Sequence, residues 1–287
     1  MKKVLITGTN SFIGVSFENW MKQWSEEIKI KTIDMKNEKW KEKDFSEFDT
    51  VFHVAGISHV STDLNMEDLY YKVNRDLAIE VAKKAKADGV KQFVFMSSIL
   101  VYGNSSAMGC KKVIDRSTLP IPINFYGKSK LQAEKGIQHL ADKTFKIVIL
   151  RPPMIYGKGA KGNYPKLAKI ARKSPIFPNI ENERSMLYID NLCEFIRIVI
   201  EQDEQGIFFP QNREYTRTSE MVQLIAEANK KKIKLIKIFN PLLKIAGNFI
   251  NVIDKIFGSL VYEKKMSEYH IDYRVCDFKE SILATEK

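Results

Sequence analysis

Lys3-Val4-Leu5-Ile6-Thr7-Gly8-Thr9-Asn10-Ser11-Phe12-Ile13-Gly14 reads as a short apolar strand, a tight turn and the first turn of a helix. Gly8 permits the turn, and Gly14 lets the helix lie close on the strand. A pyrophosphate meets such a helix at its N-terminus, where the first amides have no intrahelical acceptor. Ser11 stands where a further glycine would let the phosphate approach; it is small and brings a hydroxyl. For Thr7–Gly14 taken alone, a plain tight turn accounts for the residues as well.

Outward from this stretch the chain alternates. Phe12–Trp24 is predicted as a helix, and Ile28–Ile33 alternates with period two and ends at Asp34 as a second strand. Thr50–Val54 is a third strand. Asp68–Asp88 places Leu69, Val73, Leu77, Val81, Ala82 and Ala85 at helical spacing. Lys91–Met96 is a fourth strand, Tyr126–Leu140 a helix and Phe145–Leu150 a fifth strand. Alternating β and α segments with short connections imply an α/β fold built on a doubly wound, largely parallel sheet. After Arg151 the texture changes to a loop-rich run (Pro152, Pro153, Gly157, Gly159, Gly162, Pro165) followed by helices and short extended pieces. The expected organisation is a dinucleotide-binding domain over 1–151 and a smaller substrate-binding lobe over 152–287, with some segments of the latter returning to the sheet.

With 287 residues, 44% of them hydrophobic and 28% charged, the chain can bury a sizeable core. Its net charge of +11 comes from 46 basic residues, 37 of them lysines counted along the sequence. They are dispersed rather than gathered in an arginine stripe or interleaved with aromatics, so a solvated surface is expected and nucleic acid is not a partner. A basic surface also suits an anionic substrate. No apolar run approaches the roughly 20 residues that span a bilayer. The chain opens directly on a strand, and Cys110, Cys193 and Cys276 are scattered without metal-ligand spacing. A cytoplasmic protein with free thiols and no metal is the expectation.

The chemistry gathers further on. Asp34, closing the second strand, is placed to accept hydrogen bonds from an adenosine ribose, which favours NAD over NADP; Lys36 tempers that preference, and a solvated strand-end carboxylate is the plain alternative. In Tyr126-Gly127-Lys128-Ser129-Lys130 the tyrosine and lysine share a helical face. The ammonium is expected to lower the phenol's pKa and to hold a cofactor ribose while the phenol moves a proton. A Ser97-Ser98 pair closes the fourth strand before it.

Together these features resemble the extended short-chain dehydrogenase/reductase family, in its branch of nucleotide-sugar epimerases, dehydratases and reductases. The resemblance runs from Lys3 to about Leu192. It implies a Rossmann-type domain holding NAD, with NADP as the variant, through Gly8, Asn10, Ser11, Phe12, Ile13, Gly14 and Asp34. Asp44-Phe45 falls where the family caps the adenine, and Val51-Phe52-His53-Val54-Ala55-Gly56 matches the strand and turn against the cofactor, with Ala55 and Gly56 in contact. Val73-Asn74 matches the family's structural asparagine, also assigned to the cofactor site, as are Ser97, Lys130 and Pro153. Aligning Phe95-Met96-Ser97-Ser98-Ile99-Leu100-Val101-Tyr102-Gly103 on its Val-Tyr-Gly makes Ser98 the catalytic serine, with Tyr126 and Lys130 completing the triad. His53 reads as scaffold.

The branch is narrowed by what is missing. Dehydratases carry an Asp-Glu pair where this chain has Ile99-Leu100, and their elimination needs those carboxylates. In Arg151-Pro152-Pro153-Met154-Ile155-Tyr156-Gly157, Met154 replaces an asparagine that contacts the nucleotide sugar in many epimerases. Ser98, Asn163 and Arg184 sit where family members hold the sugar nucleotide; for Arg184 a surface ion pair is the alternative. These looser motifs are similar to bacterial capsule and O-antigen enzymes that reduce UDP-4-keto-6-deoxy-N-acetylhexosamines at C4. The implied substrate is a UDP-sugar and the implied assembly a homodimer. A UDP-hexose or UDP-N-acetylhexosamine 4-epimerase with tightly held NAD is the alternative, since the triad serves both outcomes. A dinucleotide sensor without catalysis is disfavoured by the retained Tyr-Lys pair. Over Lys231–Lys265, lysines interleave with an apolar stripe of Leu242, Leu243, Ile245, Phe249, Ile250, Ile253, Ile256, Phe257, Leu260 and Val261. Such a stripe reads as core or subunit interface, or, over 240–265, as a peripheral membrane contact.

Overall fold

A computed structural model describes residues 1–57, 63–247 and 251–287. In chain order the elements begin with β1 (Lys2–Thr7), α1 (Phe12–Trp20), β2 (Ile28–Ile33), β3 (Thr50–His53), α2 (Glu67–Tyr70), α3 (Leu77–Ala87) and β4 (Gln92–Met96). There follow β5 (Val113–Ile114), α4 (Phe125–Gln138), β6 (Lys146–Leu150), β7 (Met154–Tyr156), α5 (Asn163–Lys173), β8 (Ile176–Pro178), β9 (Met186–Tyr188), α6 (Ile189–Glu201) and β10 (Gly206–Phe208). The chain closes with α7 (Thr218–Ala228), β11 (Lys234–Ile236), α8 (Asn240–Gly247), α9 (Asn251–Phe257), β12 (Val261–Tyr262) and α10 (Phe278–Glu286). Between α2 and α3 the helix runs on through a π-helical turn, Tyr71–Asp76.

Two compact units share the chain. The first takes residues 1–103, 120–152 and 192–210, and the second takes 104–119, 153–191 and 211–287. The first is a six-stranded sheet in the order β10-β6-β4-β3-β1-β2, parallel at every pairing. Strands β3 and β4 are buried along their whole length, which is why they read as continuous apolar runs. On one face Ala78, Val81 and Ala82 of α3 and Ala133 and Ile137 of α4 pack against Val51, Phe93, Phe95, Ile147 and Ile149. Small alanines bring the helices close, and the aromatic strand residues fill the volume. On the other face Phe17 of α1 meets Phe52 edge-on at 5.3 Å, and the Trp20 indole donates to Glu194 of α6 at 3.1 Å. The chain order reverses between β1 and β3, the switch point at which ligands of such sheets bind beyond the strand C-termini.

The second unit is built from three two-stranded parallel sheets, β7-β9, β8-β11 and β5-β12, with α5, α7 and α10 against one another. Asp277 and Glu280 close a capping box at the start of α10. Buried Tyr156 on β7 bonds Ser281 Oγ of that helix at 2.6 Å. The apolar stripe expected over 240–265 divides here. Ile253, Phe257, Leu260 and Val261 are core residues, whereas Leu242 and Ile245 are exposed; Phe249 and Ile250 lie outside the described residues.

Candidate active site

The turn after β1 is shaped by close backbone approach. Gly8 sits at φ +117°, and a Cβ there would come 2.9 Å from the Ala55 amide nitrogen, so only glycine lets β1 and the β3 turn meet. Asn10 takes a left-handed φ of 60°, which its short amide side chain tolerates. Ser11 is the N-cap of α1, its Oγ accepting from the Gly14 N–H at 3.1 Å. The hydroxyl read from sequence as a phosphate contact is therefore first a helix cap, with its O–H left to donate. The amides of Phe12 and Ile13, in the first helical turn, are those that no intrahelical carbonyl reaches.

Asp34 follows β2 directly, and the Gly8 N–H donates to Ile33 O at 2.9 Å, which brings the carboxylate beside the turn. It is exposed and accepts from the Lys36 N–H at 3.0 Å. The cradle of Gly8, Ser11–Ile13, Asp34, Ala55 and Gly56 has the donor set and clearance for a dinucleotide: amides at a helix end, a carboxylate at the next strand, and glycines where a Cβ would intrude.

Ser98 closes β4 as the N-cap of a short 3-10 turn, Ile99–Tyr102, with Oγ accepting from Leu100 N–H at 3.2 Å. Tyr126 lies in the first turn of α4, whose N-cap Asn124 accepts from the Gly127 N–H at 2.8 Å. Gly127 is where the two elements touch: a Cβ there would lie 2.5 Å from Leu100 O and 2.9 Å from Pro122 Cβ. Burial pushes the Tyr126 phenol up to about 12, against the pull of its hydrogen bond with Ser98. Lys130, one turn along, donates to Met96 O at 2.7 Å. Burial brings its ammonium down to about 8, and the Glu134 carboxylate opposes that fall. Desolvation rather than the ammonium thus sets the phenol, contrary to the expectation from spacing. The three side chains are brought together, and Lys130 Nζ is 3.4 Å from where a Gly56 Cβ would stand.

Several expected cofactor residues have partners within the frame. Ser97 turns its hydroxyl into the buried Glu134 carboxylate. The Phe45 ring is wholly core, and its N–H is donated to Asp88 at 2.9 Å, so neither ring nor amide is offered to an adenine. The neighbouring Asp44 carboxylate is held below its ordinary range by the Ser46 N–H and hydroxyl. Asn74 accepts from the Ile57 N–H at 2.8 Å and donates to Ile57 O at 3.2 Å, tying down the turn after β3. His53 is scaffold: its Nδ1 bonds Thr7 Oγ1 at 2.7 Å, and burial, then the Lys130 charge, brings the imidazole down to about 3.

Sequence spacing missed the pair beneath the triad. Arg151 makes a two-pronged bond to Glu134, with Nη2 to Oε2 at 2.6 Å and Nε to Oε1 at 3.0 Å. Its Nη1 donates to Tyr102 Oη at 2.7 Å. Tyr126, Lys130 and Glu134 recur every four residues, a signal of one helical face that was available to reading. The arginine partner comes from the end of another strand and was not.

In the second unit, Pro153 is buried and Asn163 opens α5 on the surface. The Arg184 guanidinium donates to Lys255 O at 2.6 Å and to Gly258 O at 3.4 Å, and burial brings it down to about 10. These bonds brace the end of α9.

Residues 4–209 match the model of the NAD dependent epimerase/dehydratase family. The chain is 32% identical to a UDP-glucose 4-epimerase of Vibrio cholerae over 222 residues, 73% of this chain and 67% of that one. It is 28% identical to the N-acetyl-alpha-D-glucosaminyl-diphospho-ditrans,octacis-undecaprenol 4-epimerase of Escherichia coli O157:H7 over 274 residues, covering 89% and 81% of the two chains. Among solved structures, a dTDP-4-dehydrorhamnose reductase ortholog of Clostridium acetobutylicum superposes with a TM-score of 0.77 over 99% of this chain and 98% of that one, at 18% identity. That last likeness is one of fold.

Proposed function

The chain belongs to the NAD-dependent epimerase/dehydratase family, and on that premise we propose that it inverts C4 of a hexose or N-acetylhexosamine carried on UDP. The observation that carries this reading is the buried phenol of Tyr126, bonded to Ser98 with Lys130 one turn away. In its phenolate form a side chain so placed takes the proton from a C4 hydroxyl as hydride leaves, becoming the phenol, and gives that proton back when hydride returns to the other face. Bound NAD supplies the acceptor and donor of that hydride. Ser98 hydrogen-bonds the C4 oxygen through both halves, and Lys130 holds the ribose. Ile99 and Leu100 bring no carboxylate for elimination. The two relatives named above act on a hexose joined to a diphosphate, carried by uridine in one and by undecaprenol in the other.

A second reading, reduction of a UDP-4-keto-6-deoxy-N-acetylhexosamine for surface polysaccharide, is favoured by Met154 in the loop from Arg151 to Gly157. One experiment separates the two. The purified protein, given UDP-N-acetylglucosamine without added cofactor, is expected to form its C4 epimer and to reach the same mixture from either side, followed by proton NMR. Tyr126→Phe should slow this by about 10²–10⁴-fold. Stoichiometric oxidation of added NADH by the 4-keto sugar, with no interconversion of the epimers, would move the assignment to the reductase.

A further inference from the structure

Residues 230–247 hold six lysines, at positions 230, 231, 232, 234, 237 and 244, and no carboxylate. The same stretch leaves large apolar side chains in solvent: Ile238 is 79% exposed, Leu242 66%, Ile245 62% and Phe239 43%. Leu242 and Ile245 are three apart on α8 and share its outer face. The base of this face is fixed. Lys234–Ile236 pair with β8, Asn240 Nδ2 donates to Asn179 O at 2.8 Å, and Leu243 N–H closes on Phe239 O at 2.9 Å. The nearest acidic partner is Glu181, 3.7 Å from Lys237 and itself exposed. No helix among the described residues is long and apolar enough to cross a membrane.

We propose that this stretch, with its exposed apolar side chains and its run of lysines, docks the second unit on an anionic lipid bilayer. Burying the isoleucines and leucine at the acyl boundary while lysines meet the headgroups is the arrangement of a helix lying in the interface plane. Each lysine near an anionic surface multiplies partitioning by about five. A second copy of the chain fits the face poorly. A two-fold contact sets the same patch against itself, and here that brings lysine rows together with no carboxylate in the stretch to offset them.

The test is flotation of the full-length protein with vesicles of phosphatidylcholine, or of phosphatidylcholine mixed with phosphatidylglycerol, at low and high salt. Flotation with the anionic vesicles alone is expected, weakened by salt and reduced at least about tenfold in L242D/I245D. That variant should keep its thermal transition and its turnover of a UDP-sugar in solution. Equal flotation of native and variant protein, or none at low salt, overturns the proposal. So does a dimer in sedimentation velocity that the variant splits, which gives the face to a second copy. The readout does not use activity, so loss of the epimerase reading would leave it standing.

Discussion

Glu134 shows how a buried carboxylate can set the charge of a residue proposed to hold the cofactor. Its carboxylate sits in the core, clasped by Arg151, and its charge is what opposes the fall of the Lys130 ammonium. Glu134→Gln removes that field, so the Lys130 pKa should drop below about 8, and the alkaline limb of kcat/KM should move to lower pH. Stability runs the other way with pH. Between about 8 and the ordinary 10.5 the folded lysine is neutral while the unfolded one is charged. The unfolded chain then binds more protons, and stability contributed by this site rises through that window. The same substitution leaves the Arg151 guanidinium buried without its counter-charge, a loss of about 3–5 kcal/mol that urea unfolding would read directly. An unmoved pH limb with lowered stability would make Glu134 purely structural. At this scale the sequence was legible where a role lies in spacing, as for Tyr126 and Lys130. It was silent where the role lies in which neighbour claims a side chain: Ser97, Phe45 and Arg184 all have the right residue type, and their hydrogen bonds point elsewhere.

Between elements, the proposed proton transfer depends on how α4 rests on the turn that ends β4. Gly127 is the contact, because its missing side chain lets Leu100 O and Pro122 approach. Gly127→Ala must push the first turn of α4 away from Ile99–Tyr102, and Tyr126 moves with it away from Ser98. A displacement near 1 Å at the proton-transfer group costs about 10²-fold in kcat. NAD retention should hold, since Gly8, Ser11 and Asp34 lie on other elements and Lys130 stands in the second turn of α4, past the displaced one. Measuring bound NAD by absorbance after denaturation beside kcat separates the two; loss of both together would mean the glycine supports the whole domain. The strands and helices of this unit before Arg151 were readable because most are continuous apolar or periodic runs. Strand Ile28–Ile33 appears with the bounds its alternation predicts. In the second unit the strands are two or three residues long, too short to show a period.

At the scale of the whole chain, the division into units does not follow a cut in the sequence. Residues 192–210 lie in the first unit although the second takes 153–191. They bring Phe195, Ile196, Val199 and Ile200 of α6 into burial and add β10 beside β6. Gln92 on β4 donates across to Val199 O at 3.1 Å, a buried bond, and to Glu204 O at 3.0 Å, neither of which can form in a chain ending at residue 152. Linear texture placed a boundary at Arg151 because prolines and glycines cluster there; a return to the sheet was expected, but composition did not say which residues make it. A fragment of residues 1–152 would therefore lose α6 from the face that α1 shares and leave β6 as an unpaired apolar edge, a surface prone to strand addition. It is expected to elute as aggregate in size exclusion and to lack a cooperative thermal transition, whereas the full chain melts cooperatively. A monomeric fragment with a sharp transition would show that the six-stranded sheet tolerates losing its outer strand and helix. The cofactor cradle, which residues 8–56 build, would then be a property of the first 152 residues alone.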